Sequence, residues 1–289
     1  MAPHSKACKT IQVTDRRGLK ENPRRPAAKT KPLQETQIPT TTMKLARLIA
    51  PILIGSSLTL TWPAAAADAP TVDSILTRHI EAVGGKAAMA KFHSRSVQFK
   101  MESETLGNSE GEVLAQAPDR LRSHIDLGAT GIIDEGFDGK VAWVKNPWQG
   151  LRAKTGDEFA KVKRDAQFHP ELNYKRLYPD LAYKGIEKVG DEEAWRLESK
   201  PTATSKESFW FSTKTALLLR QESQYEGPNG AVNINVLPQD YKTFDGLKFP
   251  GAMKLKFSSG GQDYEFSIKF LNVKHDVEID PAKFAKPAE

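Results

Sequence analysis

Residues Ser96–Thr105 read SVQFKMESET, and their alternation decides the fold class. Val97, Phe99 and Met101 fall on one side; Gln98, Lys100, Glu102 and Glu104 fall on the other. Successive side chains of a β-strand point to opposite faces. The pattern therefore predicts a strand with one dry and one wet face, as in antiparallel sheet. Three further stretches read the same way. In DRLRSHIDLG (119–128), Leu121, Ile125 and Leu127 oppose Arg120, Arg122, His124 and Asp126. In GAMKLKFSS (251–259), Met253, Leu255 and Phe257 oppose Lys254 and Lys256. In DYEFSIKFLN (263–272), Tyr264, Phe266, Ile268 and Phe270 oppose Glu265, Ser267 and Lys269. Turn pairs separate such runs: Asp138-Gly139, Gly190-Asp191, Asn229-Gly230, Asp245-Gly246 and Gly260-Gly261. About ten or eleven strands are expected, with no βαβ rhythm and no internal repeat.

Two helical segments interrupt this pattern. In TVDSILTRHIEAVGGK (71–86), Val72, Ile75, Leu76, His79, Ile80 and Val83 keep the i, i+3, i+4 spacing of one helical stripe. Thr71 suits the N-cap, and Gly84-Gly85 the left-handed stop. A short helix over Ala87–Phe92 is expected next. The second segment, DEFAKVKRDAQF (157–168), places Phe159 and Val162 on one side. A sheet of this size with one dry face must cover it, and two helices are few for the purpose. It can fold into a sandwich or curl into a barrel; the economical solution is mainly β (α+β), a strongly curved antiparallel sheet wrapping the two helical segments, and the resemblance given below implies that it is an incomplete β-barrel with a helical lid or plug. Its dry wall is expected to include Phe99, Met101, Leu121, Ile125, Met253, Leu255, Phe266 and Ile268, with Trp143 at the mouth. Ile75, Leu76, Ile80, Phe159 and Val162 are the expected plug. Trp210, out of phase with Phe209 and Phe211, fits either an outer contact surface or a packed cluster.

The chain changes character at PAAAADAP (63–70). Upstream, MKLAR (43–47) and the uncharged run Leu48–Trp62 have the basic head, apolar core and Ala-x-Ala ending of a secretory signal peptide. Residues 43–67 are read as that signal, cleaved after Ala66 or Ala67. Residues 1–42 show no apolar periodicity. They are either a disordered extension or lie ahead of the true start at Met43. Residues 68–289 are then a single exported domain, and the resemblance given below implies that it resides in the periplasm.

This division changes the charge balance. The chain has a formal net charge of +6, but residues 1–67 hold 11 of the 42 Lys and Arg and 3 of the 36 Asp and Glu, so the rest carries −2. No basic stripe for nucleic acid remains. The one cysteine, Cys8, also lies upstream, so disulfides and thiol chemistry are not expected beyond it.

Enzyme signatures are weak. His79, His93, His124, His169 and His275 show no metal-ligand spacing, and no nucleophile elbow or phosphate-binding loop appears. No catalytic residue, metal or cofactor is expected. Asp134, Glu135 and Asp138 form the one acidic cluster of interest, and Asp138-Gly139 is already explained as turn chemistry. Arg120 and Arg122 share a strand face that suits either an acidic head group or solvent.

Three stretches carry a family resemblance. GEVLAQAPDRLR (111–122), FDGKVAWVKNP (137–147) and IDPAKFAKP (279–287) resemble the periplasmic lipoprotein carrier (LolA-type) family and its outer-membrane relatives. DYKTFDGLKFP (240–250) fits the related group of outer-membrane lipoprotein-sorting proteins. The resemblance implies a half-open barrel over a hydrophobic cavity that holds a lipid or an acylated lipoprotein. It also implies a monomer, with a membrane-bound delivery or acceptor protein as partner. Ala117 stands where the carriers have an Arg linked to lid opening. The other reading of the same scaffold is a non-transporting envelope sensor or partner-binding module.

Overall fold

The computed structural model describes residues 69–288; the expectations for 1–42 and 43–67 fall outside the described residues. The first helix, α1 (Val72–Ala82), begins at Thr71, whose hydroxyl accepts the Ser74 N–H at 3.1 Å. It stops where Gly84 and Gly85 take φ of +125° and +84°, a conformation that side chains with a Cβ resist. A single turn, α2 (Lys86–Met89), leads into the first meander. This comprises β1 (Ser94–Ser103), β2 (Gly107–Gln116), β3 (Arg120–Asp126), β4 (Ile132–Phe137), β5 (Ala142–Asn146) and β6 (Gly150–Ala153). Helices α3 (Gly156–Asp165) and α4 (Tyr174–Leu177) follow. The second meander runs through β7 (Ala182–Val189), β8 (Glu192–Ser199), β9 (Lys206–Ser212), β10 (Leu218–Gly227) and β11 (Gly230–Gln239). After a small hairpin, β12 (Lys242–Phe244) and β13 (Leu247–Phe249), it ends with β14 (Ala252–Ser259) and β15 (Gln262–His275).

Thirteen strands form one antiparallel sheet in the order β6-β5-β4-β3-β2-β1-β15-β14-β11-β10-β9-β8-β7. That exceeds the ten or eleven expected. The four- and five-residue strands β5 and β6 are too short to display a period of two. The hairpin β12–β13 stands outside this sheet, so β11 pairs with β14; among the sheet's own strands taken in chain order, neighbours fail to pair only between β6 and β7, which are the two open edges. The helical segment carries the chain from one edge to the other.

The curl of the sheet follows from α3. This helix packs against both β5 and β10. Those strands lie eight steps apart in the order, about 38 Å in a flat sheet at ordinary strand spacing. One helix is about 10 Å across. Only a sheet wrapped around the helix lets both touch it.

The register identifies the concave face. Phe159 and Val162 of α3 pack on Phe137, Ala142 and Leu121. Leu121 stands opposite Phe137 and Ala115, and Ala115 stands opposite Arg95. Arg95, Val97, Phe99 and Met101 therefore share the concave face. The convex face carries Ser96, Gln98, Arg122, Asp134 and Trp143.

Candidate functional site

The concave face is divided between two kinds of cover. On one wing, Ile75 and Leu76 of α1 and Tyr174 and Tyr178 of the α4 segment seal Trp195, Leu197, Phe209 and Phe211. Ile80 is buried on the same helix. His79 joins this core, its Nδ1 2.9 Å from the Ala216 carbonyl and its ring 4.7 Å from Phe211. Burial pushes the His79 pKa down. On the middle strands a second cluster forms around Val97, Phe99, Met101, Leu127, Phe270 and Val273. Its floor is closed by Phe244 and Phe249 of the small hairpin, Phe249 meeting Phe270 edge-on at 5.4 Å. No helix of the described residues lies in this cluster. Ile125, Ile133, Met253, Phe266 and Ile268 pack on its edge and stay half-buried. Leu255, paired with Phe266 and Val236, continues the wall and is also half-buried. The result is an apolar groove with a lined floor and an incompletely covered wall.

Phe99 reaches its place because β2 has a glycine opposite it. A Cβ on Gly111 would stand 2.4 Å from Phe99 Cζ and 2.7 Å from the His124 carbonyl oxygen. The ring occupies the space a side chain would fill. Gly136 serves Trp143 in the same way on the opposite face, with a Cβ position 2.8 Å from the indole.

Seven of the nine expected wall residues line this groove: Phe99, Met101, Ile125, Met253, Leu255, Phe266 and Ile268. Two do not. Leu121 lies beneath α3. Trp143 lies on the convex face, where its Nε1–H donates to the Phe284 carbonyl at 2.9 Å. Ile279 and Phe284 of the C-terminal segment cover that face over Leu114. The plug residues are also placed differently from the expectation that helices and wall meet. Ile75 and Leu76 belong to the β8–β9 core, Phe159 and Val162 to the β3–β5 core. The reason is tethering: the Lys248 N–H donates to Val83 O at 3.0 Å and His79 holds Ala216, which fixes α1 over the other wing. Ala117 sits at the β2–β3 turn, its N–H donating to His93 O at 2.8 Å.

Sequence reading missed Val113, Ile133, Phe249 and the β11 wall. The alternation Val232, Ile234, Val236 in GAVNINVLPQ was a usable signal for the last of these. It also missed the polar anchor of α3. Glu207, 1% exposed, faces Arg164 at 3.4 Å and Lys161 at 3.9 Å, and accepts the Ser223 hydroxyl. Lys161 also pairs with Asp165 at 2.6 Å. Burial alone would lower the Lys161 ammonium, but Asp165 and Glu207 outweigh it and raise it. The helix is thus held on the β9–β10 side by charge and on the β3–β5 side by apolar contact.

The acidic cluster does not converge. Asp134 is gripped by Arg122 on the convex face at 2.9 and 2.7 Å. Glu135 points to the concave face and pairs with Lys154 at 2.5 Å, whose charge lowers its pKa. Asp138 accepts the Lys140 and Val141 N–H groups of its turn. Each carboxylate has a structural partner, and no pair shares a space for a substrate. Trp210 lies on the convex face at 3% exposure. It is sandwiched between Arg196 (5.3 Å) and Arg220 (4.7 Å), with Nε1–H donating to Glu187. It is the packed cluster, not the contact surface.

Fold and groove together define an open antiparallel half-barrel with an apolar concave lining. Solved structures similar to it include a DUF1329 family protein from Desulfovibrio piger (16% identity, TM-score 0.48, 75% of this chain and 98% of that one). Another is a putative outer membrane lipoprotein-sorting protein domain from Vibrio parahaemolyticus (12%, 0.47, 73% and 96%). A third is a LolA superfamily protein from Nitrosomonas europaea (15%, 0.46, 75% and 99%). No protein-family model and no curated protein matches the chain.

Proposed function

We propose that the chain is an exported, periplasmic protein that holds a lipid or the acyl group of a lipoprotein in this groove, for carriage to or sorting at the outer membrane. The observation that carries the proposal is the middle wall. Ile125, Ile133, Met253, Leu255, Phe266 and Ile268 line a concave apolar surface and remain half-buried, without helical cover. Each CH₂ of an acyl chain laid there gains about 0.8 kcal/mol. About ten such groups give roughly 8 kcal/mol, a micromolar grip that still permits release. Because α1 is tethered over the other wing, release depends on partial burial of the chain and not on a helix competing for the wall. Lipid extraction and mass spectrometry of protein purified from its periplasm test the proposal, together with uptake of a fluorescent fatty-acid probe. Acyl species in the extract and saturable uptake support it; neither in a folded protein ends it.

A second reading, a partner-binding module on the same scaffold, draws on the rim. Trp148 and Ile132 are 59% and 47% exposed there, and Pro147 lies against Gly131 beside them. A folded protein that carries no acyl species but captures an envelope protein through this rim would favour it.

A further inference from the structure

The hairpin β12–β13 interrupts a turn that is complete without it. Strands β11 and β14 pair as far as Gln239 opposite Ala252. The next residue on each side, Asp240 and Gly251, already meet. The Gly251 N–H donates to the Gln239 carbonyl at 3.1 Å and to the Asp240 carbonyl at 3.0 Å. Asp240 takes a φ of +52°, the sign that a two-residue type I′ turn requires at its first position, and Asp-Gly is a preferred sequence for that turn. Residues 241–250 are thus extruded from the middle of an Asp-Gly hairpin turn, and β11 and β14 do not need them in order to pair.

The extruded segment is fixed in place. At its root the Tyr241 hydroxyl donates to the Leu218 carbonyl at 2.9 Å. At its tip His275 Nδ1 lies 2.9 Å from Asp245 Oδ2. Between them the Lys248 N–H donates to Val83 O at 3.0 Å, and Leu247 is buried against Val83 and Met89. Two three-residue strands alone make a marginal hairpin. The three tethers turn this one into a rigid part of the groove, not a flap.

Its underside carries Phe244 and Phe249, which pack on the middle cluster. The Phe249 ring has the Arg95 guanidinium over it at 5.1 Å and Phe270 edge-on at 5.4 Å. The burial of β15 changes where these rings sit. Its inward residues Tyr264, Phe266 and Ile268 are half-buried, whereas Phe270 and Val273 beyond them are buried. Phe99 and Val97, opposite those two on β1, are buried as well. The open wall therefore ends at Phe270. From Tyr264 to Ile268 the strand rises about 14 Å. A staggered carbon chain advances about 1.3 Å per bond, so this length takes about eleven carbons. We infer that the β12–β13 hairpin is a stop that sets the length of acyl chain the groove accepts, with Phe244 and Phe249 blocking the chain end at Phe270. The ligand class is a medium-length chain of about ten to fourteen carbons, and the carbons of a longer chain stay outside and gain nothing. This rests on the acyl-binding proposal and narrows it to one chain length.

Displacement of a fluorescent fatty-acid probe by octanoate, decanoate, laurate, myristate, palmitate and stearate tests the inference. Up to laurate each added CH₂ should tighten binding about fourfold. From myristate to stearate the wild-type protein should gain less than about twofold in all, because the added carbons bury no further surface. Removal of residues 241–250 joins Asp240 to Gly251 as an ordinary Asp-Gly turn and opens the cluster around Phe99 and Phe270. Palmitate should then bind about tenfold or more tighter than laurate. Phe249→Ala keeps all three tethers and removes one ring of the stop. It should move the break toward the longer chains, and it decides the question if the shortened protein does not fold. A wild-type affinity that climbs evenly to stearate overturns the inference, as does a break that stays at the same length in both variants. Failure of every chain length to bind the folded protein removes the acyl-binding proposal as well. Binding without a break removes this inference alone.

Discussion

Gly111→Ala tests the groove's construction directly. Gly111 does not have a positive φ, so alanine is admissible for its backbone. By chain entropy alone the change should stabilise by about 0.4–1 kcal/mol. The structure reverses the sign. The new methyl would lie 2.4 Å from Phe99 Cζ and 2.7 Å from His124 O. The ring can rotate away only into the groove, and the carbonyl belongs to the β2–β3 ladder and cannot yield cheaply. Overpacking of this kind costs about 1–3 kcal/mol. Set against the entropic gain, a net loss of about 1 kcal/mol should lower the melting temperature by roughly 2–4 °C for a domain of this size. Urea denaturation gives the free energy, and probe titration gives the groove's capacity, which should fall as Phe99 swings inward. A second substitution, Phe99→Leu in the Gly111→Ala background, should recover part of the loss and leave the His124 clash. An unchanged or raised stability for Gly111→Ala would refute the packing argument.

Three other outcomes are expected. Ile268→Glu, on the half-buried wall, should cost the empty protein under about 1.5 kcal/mol while weakening acyl-probe binding tenfold or more, because an unpaired carboxylate must lose its water when the chain lies down; equal loss of stability and binding would show the site to be closed core. Phe284→Ala, at 0% exposure, should cost about 3–5 kcal/mol and red-shift tryptophan emission as Trp143 meets water, without changing probe affinity. Between pH 6.5 and 5 stability should fall: burial holds the His79 and His169 pKa values below their usual 6.5, the unfolded chain takes up the protons first, and stability present above 6.5 is lost on acidification. His79→Gln should flatten that slope in denaturation curves, and an unaltered slope would remove His79 from the account.

The strands and their dry faces were legible in the sequence wherever a strand was long enough to repeat its pattern. Val97, Phe99 and Met101 alternate with Gln98, Lys100 and Glu102, and those positions are buried and exposed in turn. The helix boundaries at Thr71 and Gly84 were legible because caps and left-handed turns need particular residues within a few positions. The turns at Asp138-Gly139, Asp245-Gly246 and Gly260-Gly261 were legible for the same reason. Periodicity reports that a face is buried; it does not report what buries it. Leu121 and Ile125 lie on one strand with one phase, yet α3 covers the first and nothing comparable covers the second. Trp143 read as a mouth residue because its phase within a five-residue strand had no neighbour to fix it. The register from Leu121 through Phe137 to Ala142 decided its face instead. Whether α1 would cover the wall depended on contacts far apart in the chain, His79 with Ala216 and Val83 with Lys248. The sequence by itself determined an antiparallel sheet with one apolar side and too few helices to hide it. Only the tertiary structure decided which part of that side stays open, because closure depends on how thirteen strands add their registers and where two tethered helices come to rest.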